Sequence, residues 1–135
     1  IPHVTHALTW LRGPKCVASS SSLERVQISL EATGLERYFG TNMFSANDVK
    51  HGKPAPDLFL HICSQIGVEA KDCYVVEDSP AGVTAAVAAG MTAIGFVGGS
   101  HAEPELAGNL TDAGAATVVA DMRALKTAGV GLRGY

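Results

Sequence analysis

Residues 73–82 read Cys73-Tyr-Val-Val-Glu-Asp-Ser-Pro-Ala-Gly82, and this stretch decides the fold. It opens with an apolar run that is long enough for a buried strand. Pro80, a few residues later, suits the first turn of a helix. Two acidic residues, Glu77 and Asp78, stand where the strand ends. A buried strand that leads directly into a helix is typical of α/β proteins whose parallel sheet is covered by helices.

The same alternation of strand and helix signals extends along the chain. The predicted strands cover residues 15–19, 42–46, 73–77, 92–96 and 117–120. The predicted helices cover residues 4–11, 23–34, 56–67 and 80–90, with a short helix before the last strand and a final one from Asp121 through Leu125. Since the strands show no polar–apolar alternation, both faces of the sheet should be covered. The sequence predicts an α/β fold: a Rossmann-like parallel sheet with helices on both faces.

Composition excludes several classes of function. The chain has 135 residues, 47% of them hydrophobic, and a formal net charge of −3 with no basic stripe that would bind nucleic acid. No apolar run approaches the length of a membrane span. The cysteines, Cys16, Cys63 and Cys73, are far apart and lack metal-ligand spacing, which predicts reduced thiols and a cytoplasmic protein.

Residues with chemical potential follow three of the predicted strands. Ligands bind beyond the carboxyl ends of strands in open parallel sheets, so this edge is where a site is expected. Ser19 and Ser20 follow the first strand, Lys53 follows the second, and Glu77 and Asp78 end the third. Hydroxyl and N–H groups at a helix start bind anions, an ammonium neutralises phosphate, and paired carboxylates suit Mg²⁺.

Each of these features also has a purely structural explanation. The serines fit a plain helix cap, and a lone loop lysine is usually a solvated surface residue. Asp78 and Ser79 fit the cap of the helix that Pro80 begins. The three features gain weight when they are taken together and in order.

Taken together, Ser19, Gly52-Lys-Pro-Ala-Pro-Asp57 and Glu77-Asp-Ser-Pro-Ala-Gly82 resemble the second, third and fourth motifs of the haloacid dehalogenase superfamily. The resemblance is strongest to its beta-phosphoglucomutase and phosphoglycolate phosphatase branch. It implies that Ser19 and the backbone N–H of Ser20 bind the transferred phosphoryl group. It also implies that Lys53 neutralises that group, that Asp78 binds Mg²⁺ and that Glu77 is a ligand or an acceptor beside it.

The chain departs from the family at the first motif. The family's nucleophile and general acid/base stand in an Asp-x-Asp sequence, and no such sequence occurs here. We therefore expect the nucleophile segment, the first central strand and the cap domain to precede Ile1, so that residues 1–135 are a partial core domain. In the family, the first central strand lies in the sheet between the strands that correspond to residues 15–19 and 73–77. Without it, these two strands should be separated by a gap of roughly 9–10 Å or be forced into a new pairing.

The leading hypothesis is that the intact protein is a Mg²⁺-dependent phosphatase of small, sugar phosphate-like monoesters, working through an aspartyl-phosphate. The missing N-terminal segment would be required, and this chain alone would be inactive. A phosphomutase of the same superfamily is the nearest alternative in chemistry. A non-catalytic remnant that binds phosphate or a partner is the alternative from another class.

Overall fold

The structure, a computed structural model, describes residues 15–19, 23–34, 39, 42–98 and 103–125. Within these residues, strands and helices alternate in the order that the sequence predicts. The strands are β1 (Val17–Ser19), β2 (Met43–Ser45), β3 (Tyr74–Glu77), β4 (Thr92–Phe96) and β5 (Thr117–Val119). The α-helices are α1 (Leu23–Thr33), α2 (Asp57–Ile66), α3 (Pro80–Ala88) and α4 (Leu106–Ala113). Short 3₁₀ helices cover Ala46–Asp48, Ala70–Asp72 and Met122–Leu125.

The ends of α2 and α3 follow from the residues that occupy them. Ser79 is the N-cap of α3, and its side-chain oxygen accepts a hydrogen bond from the Gly82 N–H at 3.1 Å. Pro80 supplies the first helical residue, where its missing N–H costs nothing. Gly67 ends α2 with φ 79°, a left-handed conformation that only glycine adopts easily.

All the strand pairings are parallel, as predicted. β1 pairs with β2, and β4 pairs with β3 on one side and with β5 on the other. Within the described residues, β1 and β3 do not pair with each other, so the strands form a two-stranded and a three-stranded sheet. The sequence predicts either a gap or a new pairing at this point, and the described part of the chain shows no pairing between β1 and β3.

The main core joins α2, α3 and α4 to the three-stranded sheet. Its fully buried side chains include Leu58, Val83, Ala93 and Leu110, one from each of these helices and one from β4. Gly95 lets α4 approach β4 closely, because a Cβ there would lie 3.0 Å from the nearest side-chain atom of Leu110. The core therefore fixes α2 and α3, whose preceding loops carry the candidate site.

Some predicted features lie outside the described residues: the helix at 4–11, Ser20 and the chain end. The last predicted helix is, over Met122–Leu125, a 3₁₀ helix. Asp121 begins it as expected, since its Oδ1 accepts a hydrogen bond from the Arg123 N–H at 2.8 Å. None of the described helices is both long and apolar enough to span a membrane.

Candidate active site

Lys53 links the ends of two strands that do not pair with each other. Its Nζ donates a hydrogen bond to the carbonyl oxygen of Ala18 in β1 at 3.4 Å. The same Nζ forms an ion pair with Oε1 of Glu77, the last residue of β3. The side chains of Lys53 and Glu77 are only 11% and 10% exposed. The carboxyl ends of β1 and β3 therefore lie within reach of a single ammonium group.

The loop that carries Lys53 is anchored at both ends. On the β2 side, the buried Ser45 donates its N–H to Asp48 Oδ2 at 3.0 Å in a capping box. On the α2 side, Asp57 Oδ2 accepts the N–H of His51 at 3.3 Å. A loop held at both ends can direct a flexible lysine side chain to a defined position.

The carboxylate of Glu77 is fixed through both of its oxygens. Oε1 meets Lys53, and Oε2 accepts a hydrogen bond from the Ser79 hydroxyl at 3.3 Å. The carboxylate also fills the space beside Gly82, where a Cβ would lie 2.1–2.5 Å from its atoms. Gly82 is therefore needed for close approach of Glu77 to the first turn of α3.

Asp78 lies in a different environment from its neighbour. Its side chain is exposed, and no residue in the described ranges donates a hydrogen bond to it. The cap of α3 is Ser79 and not Asp78, so the capping explanation accounts for the serine alone. Within the part of the chain that the structure describes, Asp78 keeps its carboxylate available for a ligand.

The two carboxylates fit a Mg²⁺ site that receives further oxygen ligands. Mg²⁺ commonly takes one or two protein carboxylates and completes its shell with water and substrate phosphate. No group of three or more His, Cys, Asp or Glu side chains in the described residues is arranged to hold a metal. Asp78 is suited to direct coordination, while Glu77 is engaged with Lys53 and Ser79.

The structure describes one of the two predicted phosphate-binding serines. Ser19 ends β1, is half-buried and directly follows Ala18, whose carbonyl oxygen meets Lys53. Ser20 lies outside the described residues. Ser19, Lys53, Glu77 and Asp78 thus all belong to the same edge of the strands, and the catalytic role of each stays a prediction.

Sequence reasoning missed one neighbour of Lys53 and undervalued another feature. The Nζ of Lys53 lies 5.5 Å from the ring centroid of Phe59, and nothing in the sequence pattern predicts this contact. Gly82 belongs to the fourth motif, but the sequence does not show that Glu77 needs the space beside it. Both contacts depend on side-chain placement across different elements.

Comparison with known proteins places this chain in a family. Residues 1–90 match the model of the haloacid dehalogenase-like hydrolases. The chain belongs to that family. The predicted superfamily is therefore confirmed, and the parallel strands covered by helices agree with its predicted α/β fold.

Named relatives of this hydrolase chain act on phosphorylated sugars. It is 31% identical over 97 residues to a 6-phosphogluconate phosphatase of Escherichia coli, covering 72% of this chain and 44% of that protein. It is 39% identical over 95 residues to the fructose-1-phosphate phosphatase YqaB of Escherichia coli, covering 70% and 50%. The chain spans about half the length of these curated relatives.

A solved structure supports the branch. The hydrolase chain superposes with a TM-score of 0.82 and 29% identity on a Thermotoga maritima protein proposed to be a beta-phosphoglucomutase. That match covers 95% of this chain and 58% of the other.

Proposed function

We propose that the intact protein is a Mg²⁺-dependent phosphatase that hydrolyses small sugar phosphates. The single observation that carries this proposal is the placement of Lys53 between the ends of β1 and β3, against Glu77, the residue that precedes Asp78. We also propose that residues 1–135 form part of the catalytic core and that the activity requires the whole protein.

The charges of these side chains favour a divalent cation. Lys53 contributes one positive charge, while Glu77 and Asp78 contribute two negative ones. A phosphate monoester is itself an anion, so this group of side chains would repel it. A bound divalent cation reverses the balance and makes the edge of the strands attractive to phosphate. Mg²⁺ suits the oxygen ligands that Asp78 and Glu77 offer.

Each residue then has a separate task in phosphoryl transfer. Asp78 would hold the metal, which would supply positive charge to neutralise phosphoryl oxygens, and Glu77 holds Lys53. Lys53 has three N–H donors and uses two on Ala18 and Glu77, which leaves one for a phosphoryl oxygen. Ser19 and the N–H of Ser20 contribute further hydrogen bonds. Phosphoryl transfer depends on such charge neutralisation and alignment.

The nucleophile of the family is not among these residues. No Asp-x-Asp sequence occurs in the 135 residues. In our proposal the intact protein supplies this aspartate, which forms the covalent phosphoryl intermediate that water then hydrolyses.

The named relatives support a proposal about the substrate class. Fructose 1-phosphate and 6-phosphogluconate, on which they act, both carry one phosphate ester on a terminal carbon of a six-carbon chain. We propose that this protein accepts the same class of phosphomonoester.

A phosphate-release assay with the full-length protein tests the proposal. Fructose 1-phosphate and 6-phosphogluconate would be supplied with Mg²⁺ to the parent, Lys53→Met and Lys50→Met proteins. Lys50 is exposed in the same loop and serves as the matched control. We expect release by the parent and the control and about a 100-fold loss or more in Lys53→Met. Equal release by all three proteins would refute the proposed role of this edge.

The likeness to the Thermotoga maritima protein favours a phosphomutase as the second candidate. A mutase returns the phosphoryl group to another position of the substrate, whereas a phosphatase transfers it to water. Accumulation of an isomeric sugar phosphate without inorganic phosphate would favour the mutase.

A further inference from the structure

The ring of Phe59 lies beside the ammonium group of Lys53. The distance from Nζ to the ring centroid is 5.5 Å. Phe59 is 3% exposed and the Lys53 side chain 11% exposed, so the contact is largely shielded from water. The face of an aromatic ring attracts a cation within about 6 Å, and the attraction grows as water is excluded.

The ring is a rigid support for a flexible side chain. Phe59 lies in the first turn of α2 and is buried beside Leu58 and Ile62 in the main core. Lys53 reaches its position through a four-carbon stem with many rotamers. Of its two acceptors, Glu77 is the last residue of β3 and Ala18 is the residue before the last in β1. Phe59 adds a contact from the helix that follows the lysine loop.

We propose that Phe59 is a positioning residue, whose ring face holds the Lys53 ammonium at the strand ends where a phosphoryl oxygen would bind. The role in phosphate binding rests on the proposed function, whereas the contact between ring and ammonium stands independently of it. Small displacements of a charged group weaken its interaction with a bound anion, so loss of the ring should reduce phosphate affinity through Lys53.

A matched control exists in the same protein. Phe44 in β2 is partly buried and packs edge-on against the ring of His61, with centroids 5.9 Å apart. Phe44→Leu removes an aromatic ring just as Phe59→Leu does, but at a position where the ring contacts a histidine instead of Lys53.

The first measurement tests the contact by a double-mutant cycle on urea unfolding of the full-length protein. Parent, Phe59→Leu, Lys53→Met and the double variant are compared. We expect Phe59→Leu to cost about 2- to 30-fold more in the unfolding equilibrium constant when Lys53 is present. Phe44→Leu should cost the same in both backgrounds. Equal costs for Phe59→Leu in both backgrounds would show that the ring only fills the core.

The second measurement tests positioning by calorimetric titration of the same proteins with inorganic phosphate in the presence of Mg²⁺. We expect Phe59→Leu to weaken phosphate binding about 3- to 10-fold, with no further loss in the Lys53→Met background. Phe44→Leu should bind as the parent does. Parental affinity in Phe59→Leu, despite coupling in the unfolding cycle, would overturn the positioning role.

The outcomes separate this inference from the proposed function. If Lys53→Met binds phosphate as well as the parent, the proposed function of Lys53 fails while the unfolding cycle still decides the contact. If Phe59→Leu does not fold, pentafluorophenylalanine at position 59 replaces it, because fluorination keeps the ring but reverses its quadrupole. Unchanged unfolding and phosphate binding in that protein would also refute the inference.

Discussion

At the scale of single residues, the neighbouring carboxylates of Glu77 and Asp78 lie in different environments. The side chain of Glu77 is largely shielded by Lys53, Ser79 and Gly82, while Asp78 is exposed. A recessed carboxylate paired with an ammonium holds that ammonium in place, and removing either partner would leave a buried charge uncompensated. In our proposal, the exposed carboxylate of Asp78 binds the cation. Two residues that are adjacent in sequence thus have different surroundings, and we propose a different role for each.

Gly82→Ala tests how closely Glu77 is held. The new Cβ would lie 2.1–2.5 Å from the Glu77 carboxylate, which must move away from its place beside Lys53. Because the displaced group is the end of a flexible side chain, we expect unfolding free energy to change by only about 1 kcal/mol. The ¹⁵N signal of the Lys53 ammonium should shift.

Gly108→Ala is the matched control for that substitution. Gly108 also lies in a helix, but a Cβ there meets nothing within 4 Å. It should stabilise the protein by about 0.5–1 kcal/mol and leave the Lys53 signal in place. An unchanged Lys53 signal in Gly82→Ala would contradict the packing described for Glu77.

The cysteines provide a prediction about pH. Burial raises the pKa of Cys16 to about 11 and is also the largest cause of a pKa of about 11 for Cys73, with the negative charge of the Cys63 thiolate adding to both. The pKa of each thiol is raised from 9.0, so the folded state favours the neutral thiol. The contribution of the two thiols to the free energy of unfolding is therefore fully present below pH 9 and is lost as the pH rises toward 11.

The same pKa values predict slow alkylation. Near pH 8 the thiolate fraction of Cys16 and Cys73 should be about 100-fold below that of an unperturbed thiol. A thiolate with a higher pKa is more nucleophilic, and this offsets about tenfold of the difference in rate. We expect iodoacetamide to modify Cys16 and Cys73 of the folded protein about tenfold more slowly than a cysteine peptide, as followed site by site by mass spectrometry of the digested protein. Alkylation at the peptide's rate would contradict the burial of these thiols.

At the scale of elements, α3 is the helix whose start matters most to the site. Ser79 caps it by accepting the Gly82 N–H and also donates to Glu77. We expect Ser79→Ala to lower the free energy of unfolding by about 1 kcal/mol in urea titration. Ser64→Ala, an exposed position within α2, should stay within about 0.5 kcal/mol of the parent. Equal effects of the two substitutions would contradict the cap.

The elements themselves follow from local signals in the sequence. The apolar run before Glu77, Pro80 and Gly67 each predict a boundary that the structure confirms within a residue or two. Such signals act between neighbours along the chain, which is why they can be recognised in a single sequence. The helix expected after Asp121 is a 3₁₀ helix over Met122–Leu125. The type of a short helix depends on tertiary packing, which the sequence pattern does not contain.

At the scale of the whole molecule, parallel strands bring distant residues to one edge. Lys53 and Glu77 are 24 positions apart, and Lys53 and Ala18 are 35 apart, yet all three meet. The order of strands and loops predicts this edge, because carboxyl ends of parallel strands share it. The Phe59 contact and the recess beside Gly82 arise from tertiary packing, so the sequence alone does not reveal them.

The division into two sheets carries a prediction about the isolated chain. Within the described residues, Lys53 supplies the observed polar link between the ends of β1 and β3, and the family's Asp-x-Asp is not in the sequence. We expect the purified 135-residue chain to release phosphate about 10⁴- to 10⁶-fold more slowly than the full-length protein. Turnover near that of the full-length protein would place the nucleophile among the residues of this chain.

The central claim is that Asp78 holds the metal and Lys53 holds the phosphoryl group. Its most direct test is a Mg²⁺ titration of phosphate release from fructose 1-phosphate by the full-length parent, Asp78→Ala and Lys53→Ala proteins, with folding checked by circular dichroism. Asp112→Ala and Lys50→Ala, at exposed positions, are the controls.

We predict that Asp78→Ala shifts the titration to higher Mg²⁺ and regains part of its activity there, because it has lost an oxygen ligand. Lys53→Ala should stay poorly active at every Mg²⁺ concentration, because the metal occupies its own position and cannot replace the ammonium. Near-parental turnover of Lys53→Ala, or an unchanged Mg²⁺ dependence of Asp78→Ala, would contradict the account.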